Sequence, residues 1–380
     1  MNHPQSNAAS MLRACIHLKR LKGNVALVRE RVPEHVRIMG VVKCDAYGHG
    51  ILQISKAMMQ AGIRELVVSN ITEGLILRRG GIRCPILVLS DPLYPNLQDA
   101  LDNDLTITVS DTCFARRLID YQTLQGQIFQ VHVKVDTGLA RFGLSPEQTP
   151  EITARLYNTE HIRVAGIYSH LGCTFKNSKE SNSFTRTQIS IFHSVLDRLA
   201  SSGMLPPAVH LGSSTGLLGF QEELCSGRFN ALRIGTLFFG FTEREHNWDK
   251  TPIPVAEVTT RILQVRKIKA GSYVGYHLAS RMLQAGRTAV ISGGLYHGLH
   301  GDSGMMPACM VHGRIAPVMG RLGMAQSIID ISGSPEAKAG SKVILAGEQV
   351  NMCDLARGIG RGTWEVFLPL LSKADKTYYE

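Results

Sequence analysis

Along the first 240 residues, short runs of β-branched and apolar positions alternate with segments whose apolar residues recur at helical spacing. That rhythm predicts parallel βα units. Strands are expected over 36–43, 65–70, 85–90, 105–110, 129–137, 164–170, 208–214 and 231–241. Helices are expected over 51–61, 73–79, 93–103, 114–124, 146–157 and 183–201, with a short one from Thr215. Eight strands with intervening helices predict an α/β fold of the (β/α)8, TIM-barrel type. A doubly wound sheet is disfavoured because no GxGxxG turn follows the first strand. Beyond about residue 245 the texture changes. Strands over 255–265, 289–292, 307–311, 315–319, 327–331 and 342–345 are separated by Gly-rich turns, with no long helix between them. The expected organisation is a barrel over 11–245 followed by a C-terminal all-β domain over 246–380, which the early segment 15–18 joins. The first ten residues read as disordered.

Composition narrows the class without deciding it. Hydrophobic residues make up 44% and charged residues 19% of the 380, ordinary values for a soluble globular chain. No apolar run approaches the roughly 20 residues that span a bilayer. The first residues lack the apolar core of a signal peptide, so a cytoplasmic protein with no membrane partner is expected. The formal charge of +10 is spread along the chain rather than clustered with aromatics, which argues against a nucleic-acid partner. Eight scattered cysteines without a CxxC pair point to reduced thiols and no metal site.

Barrel enzymes carry their chemistry at the C-terminal ends of the strands. There the sequence places Lys43, then Lys134 and Asp136 with Arg141 just beyond, His170, Ser213 and Ser214, and Arg233 with Gly235-Thr236. A lysine on an apolar strand is costly to bury unless paired or covalently used. Lys43 is therefore a candidate Schiff-base lysine, with a salt-bridged structural lysine as the alternative. Ser213, Ser214 and the Gly235-Thr236 amides could cradle a phosphate, as barrel loops after the seventh and eighth strands often do. His170 fits either a site or a satisfied core position.

The run Val41-Val42-Lys43-Cys44-Asp45-Ala46-Tyr47-Gly48-His49-Gly50 closely resembles the cofactor-attachment motif of alanine racemases, which use pyridoxal 5'-phosphate (PLP). The likeness continues through residues 134–143, Tyr168-Ser169-His170, Arg233-Ile234-Gly235 and Val274-Gly275-Tyr276, and more weakly through residues 320–324. The resemblance implies an isomerase that racemises a free amino acid with two bases. Lys43 would hold PLP and act as one base; Tyr276, from the other subunit of a homodimer, would be the second. His170 and Arg233 would tune that tyrosine, and Arg233 would also face the pyridine nitrogen. Arg141 would meet the phenolic oxygen. Tyr47, Ser213, Ser214, Gly235 and Thr236 would hold the phosphate. Arg141, Lys134 and Met324 would lie on the substrate side, Lys134 matching a position carbamylated in some relatives.

Several family positions are not met. The gate tyrosine reads as Gly294, the usual Met-Asp as Met324-Ala325, a phosphate-binding tyrosine as Trp364, and the asparagine before the phosphate serine as Ser213. Gly in place of Tyr suggests added space and a larger or polar amino acid as substrate, with a diverged alanine racemase whose neighbours compensate as the alternative. The alternatives are a decarboxylase of the same fold and a non-catalytic PLP-binding protein. An arginine rather than a carboxylate at 233 favours the racemase, because a cation keeps the neighbouring ring nitrogen unprotonated.

Overall fold

The computed structural model describes residues 11–90, 97–124, 126–299 and 308–380. The described residues form two compact units, one within residues 21–252 and one of 11–20 with 253–380.

In the first unit eight parallel strands close into a barrel. They are β1 (Arg37–Val41), β2 (Glu65–Val68), β3 (Ile86–Val88), β4 (Thr106–Val109), β5 (Phe129–Lys134), β6 (Ile162–Tyr168), β7 (Ala208–Ser213) and β8 (Ala231–Ile234). All eight fall within or beside the runs expected from the sequence, since parallel strands are buried on both faces and read as continuous apolar runs. Inside the barrel, Met39, Val41, Val67, Leu87 and Ala231 pack together, with Tyr47 and Leu89 against them.

The helices differ more. That expected over 114–124 ends at Ile119. That expected over 93–103 is seen as Leu97–Asp102, its first four residues lying outside the described ones, as do the first ten residues of the chain. Helix Leu18–Arg31 was not anticipated. Its buried positions Leu18, Leu21, Val25 and Val28 have helical spacing, but Gly23 and a dense cationic face weaken the signal.

The second unit is dominated by an eight-stranded sheet. Strand Arg13–His17 pairs antiparallel with Ala256–Ile268 and parallel with Asp375–Tyr379. The strands expected over 255–265, 289–292, 315–319, 327–331 and 342–345 are present; that over 307–311 is described from Ala308. The sheet is not unaccompanied: helices Met352–Gly358 and Thr363–Ser372 also occur here. The second hides its period because Pro369 interrupts it and apolar residues surround it. Among the described residues, no helix is long and apolar enough to cross a membrane.

Candidate active site

The segment after β1 is the least ordinary backbone in the barrel. Cys44, Asp45, Ala46 and Tyr47 all have φ of 53–54°, a complete left-handed turn ending at Gly48. Left-handed backbone costs an L-residue about 1–2 kcal/mol, so such a turn persists only where its surroundings impose it. Three braces are visible. The Glu73 carboxylate accepts from the amides of Cys44 and Ser69, at 2.6 and 2.7 Å. Asp45 Oδ1 accepts from the amide of Ile51 at 2.8 Å. The buried His49 ring lies 4.5 Å from Phe239, and its Nδ1 is 3.0 and 3.1 Å from the carbonyls of Ala46 and Tyr47. Together they fix Lys43 at the start of the turn and Tyr47 at its end. Sequence reasoning missed Glu73 and His49, whose role exists only because the turn is strained.

Lys43 Nζ lies 6.0 Å from the Tyr47 ring centre. Burial pushes its ammonium pKa down; the nearby charges of Arg141 and Arg233 push the same way, against Cys44 and Glu73. A lysine so placed is readier than usual to lose its proton and become a nucleophile. Burial also raises the Tyr47 phenol, keeping it a neutral donor.

Tyr47, Ser213, Ser214, Gly235 and Thr236 converge at the ends of β7 and β8. A β-carbon at Gly235 would sit 2.7 Å from the Tyr47 hydroxyl, so glycine is what lets that hydroxyl approach the backbone. Ser213 precedes helix Ser214–Leu224, whose N-terminus favours anions. Ser214 Oγ accepts from the amides of Gly235 and Leu237 at 3.0 and 3.4 Å. The Thr236 hydroxyl is buried without a hydrogen-bond partner. Leaving a buried hydroxyl unsatisfied costs about 1–3 kcal/mol; a phosphate oxygen would relieve it. These residues fit a phosphate-bearing cofactor.

Arg233 and His170 also meet, at 3.3 Å between Nη2 and Nδ1. A guanidinium only donates, so His170 Nδ1 accepts and the ring proton is on Nε2. Burial and then Arg233 hold the His170 pKa well below its usual value. Buried Lys134 lies 5.5 Å from the Tyr168 ring and 5.3 Å from that of Phe142. Exposed Arg141 follows a turn built on Asp136, whose Oδ1 accepts from the amides of Gly138, Leu139 and Ala140. Two histidines absent from the sequence-derived set complete the interior: His132 on β5 and His210 on β7, 2.9 Å apart.

Burial, then Arg37 and Arg233, push the His132 pKa to about 3, while in the unfolded chain it is near 6.5. Between those values the unfolded state holds a proton that the folded state does not, so stability falls as pH falls. For His132 alone the expected loss from pH 7 to pH 5 is about 2 kcal/mol. His170 and His210 shift in the same direction and add to it. Urea melts at the two pH values check this; equal midpoints would show that the imidazoles are not buried neutral.

In the second unit, Tyr276 opens a one-turn segment that includes His277 at φ 60°. Tyr276 is 67% exposed. It stands 4.0 Å from where a Gly323 β-carbon would lie, so Tyr276 and the Gly323-Met324-Ala325 loop are neighbours. Gly294 joins the same cluster, and here the structure corrects the expectation of added space. A β-carbon at 294 would lie 2.3 Å from the Gly323 carbonyl oxygen and 2.8 Å from Met324 backbone atoms. The adjoining amides of Leu295 and Tyr296 donate to the carbonyls of Gly323 and Met324 at 3.0 and 2.9 Å. Backbone, rather than a void, occupies the place of a side chain. Gly294→Ala should therefore cost about 3 kcal/mol, read as a lowered thermal midpoint; unchanged melting would show that the loop yields. Half-buried Trp364 stands near Phe367, with ring centres 6.0 Å apart.

The alanine racemase N-terminal domain family matches residues 16–243, and the C-terminal domain family residues 255–378. The chain is 28% identical over 372 residues to an alanine racemase of Clostridium novyi, covering 96% of this chain and 94% of the relative. An alanine racemase of Desulforamulus reducens is 29% identical over 369 residues, with 96% and 97% coverage. The solved alanine racemase of Clostridium difficile 630 superposes with a TM-score of 0.89 at 26% identity, covering 98% of this chain and 97% of its own.

Proposed function

The chain belongs to the alanine racemase family, and we propose that it is a PLP-dependent isomerase interconverting the L- and D-forms of a free amino acid, alanine or a close relative. PLP, when bound, supplies an electron sink that acidifies the substrate Cα–H. Everything else is work for the chain's own residues.

Tyr47, Ser213, Ser214 and Thr236 would hold the phosphate, with Gly235 giving the Tyr47 hydroxyl room, and the buried unpaired Thr236 hydroxyl would be one of the groups the phosphate satisfies. Trp364 has no hydroxyl to offer a phosphate. Lys43 would hold the cofactor and, as a base, would take or return the Cα proton on one face. Tyr276, supplied by a second copy of the chain, serves the opposite face. Its exposure suits that role, as does the company of exposed Tyr273, Leu278 and Leu283 on the same unit, an apolar surface for a homodimer contact. Arg141 would meet the phenolic oxygen and, with Lys134, the substrate. Arg233 would face the ring nitrogen.

The observation that carries the reading is Arg233. Its pKa falls to about 10, chiefly through burial, so it remains a cation at neutral pH. Neutral acceptors surround it: the carbonyls of Ser169, His210 and Leu211 and the rings of His170 and His210. A decarboxylase would want a carboxylate there, whose charge would favour a protonated ring nitrogen and a stronger electron sink. With the backbone filling position 294, the case for a substrate much larger than alanine loses its steric ground.

The test is proton NMR of the PLP-loaded protein in D2O with a panel of L-amino acids. Loss of the Cα proton signal, retention of the carboxylate and appearance of the D-enantiomer are expected, fastest with alanine. Release of carbon dioxide, or exchange with no amino acid, would refute the reading.

A further inference from the structure

We propose that His210 and His132 are positioning residues for Arg233: a neutral imidazole pair, locked in one tautomeric order, that fixes the guanidinium at the end of β8 without cancelling its charge. The inference rests on the reading that Arg233 faces the cofactor's ring nitrogen.

The barrel departs from regular pairing at each histidine. Between β7 and β8 the register runs His210 to Ala231 and then Ser213 to Arg233, three residues against two. Between β5 and β6 it runs Val131 to Val164 and then His132 to Gly166, one against two. Bulges re-aim the side chains around them, and here both imidazoles meet inside the barrel. Gly166 is part of the arrangement, because a β-carbon there would lie 2.5–2.7 Å from the His132 ring. Tyr168 stacks on His210 at 4.8 Å with planes 7° apart. Its ring centre is also 4.9 Å from the Arg233 guanidinium carbon, so the three groups share one packed unit.

The proton order follows from the donors. Arg233 Nη1 lies 2.5 Å from His210 Nδ1, and a guanidinium has no lone pair to offer. His210 Nδ1 must accept, so its proton is on Nε2. That nitrogen is 2.9 Å from His132 Nδ1, which must accept in turn, placing the second proton on His132 Nε2. Donation thus runs one way, from Arg233 to His210 to His132. Burial and the Arg233 charge hold both imidazoles neutral. A carboxylate at 210 could grip the guanidinium equally well, but it would neutralise the charge that keeps an adjacent ring nitrogen unprotonated. Imidazole holds the arginine and leaves its charge intact.

Long-range 1H–15N NMR of the apo protein reads the tautomers directly. Both histidines should carry their proton on Nε2 at pH 7; His210 found as imidazolium or as the Nδ1–H form overturns the proposal. In the PLP-loaded protein, His210→Leu should move the 15N resonance of labelled ring nitrogen toward its protonated position and lower kcat about 100-fold, the scale of a small misplacement. His210→Asn, whose carbonyl can accept in place of Nδ1, should keep the wild-type resonance and stay within about tenfold in kcat. If the Leu variant matches wild type in both readouts, or the two variants behave alike, the pair does not position Arg233. Should His210→Leu fail to fold, the wild-type tautomers and His132→Leu, with the same shift expected in smaller degree, still decide. Failure of the functional reading would look different: racemisation surviving in Lys43→Ala, with the tautomers as described.

Discussion

Lys43→Ala should lose racemisation of either enantiomer by about 10⁴-fold or more, and with it the covalent attachment of PLP. Borohydride reduction followed by peptide mass spectrometry should find the cofactor on the peptide containing residue 43 in the wild type and on no peptide in the variant. The barrel should survive the change. Burial already disfavours the Lys43 ammonium, so removing it relieves a desolvation penalty while deleting little packing. Apo wild type and apo variant are therefore expected to melt within a few degrees of each other. A variant that keeps substantial turnover would assign the base to another residue, and the left-handed turn would need a different explanation.

Tyr276→Phe should divide the two directions. The phenolic oxygen is the only group the change removes, so PLP binding and the cofactor spectrum should be retained. Abstraction of the Cα proton on the tyrosine's face should fall by about 10²–10⁴-fold, the usual contribution of a positioned acid or base. Lys43 would still exchange the proton on its own face. Deuterium incorporation from D2O should then persist with one enantiomer and collapse with the other. Equal losses for both, or no loss, would remove Tyr276 from the role of second base. Because the residue is exposed on its own unit, stability should change by no more than about 0.5 kcal/mol, so reduced activity could not be attributed to unfolding.

The sequence carried the barrel because its evidence is local. Each of β1 to β8 is a short apolar run bounded by turn residues, and each can be recognised without knowing its neighbours. The same holds for the motif around Lys43, whose residues are contiguous. The helices of the second unit were missed for a local reason too: Thr363–Ser372 is apolar around most of its surface and holds Pro369, so it shows no amphipathic period. Gly294 marks where residue identity misled. Glycine at a position that the resemblance assigns to a tyrosine suggested a hole, and only the path of residues 323–324 shows that backbone stands there.

Strand positions and the residues at their ends were thus determined by composition and spacing along the chain. What tertiary structure alone decided is how those ends become one site. His132, His210 and Arg233 lie on three strands, 78 and 23 residues apart in sequence. Nothing in their local sequence distinguishes a core histidine from one that orders an arginine. Two bulges and the missing side chain of Gly166 turn them toward each other, and the donor-only chemistry of the guanidinium then fixes every proton in the chain. The left-handed turn at Cys44–Tyr47 has the same origin. Its backbone is unfavourable residue by residue, and it exists because Glu73 and His49, folded against it from outside the turn, supply partners that only this conformation can reach.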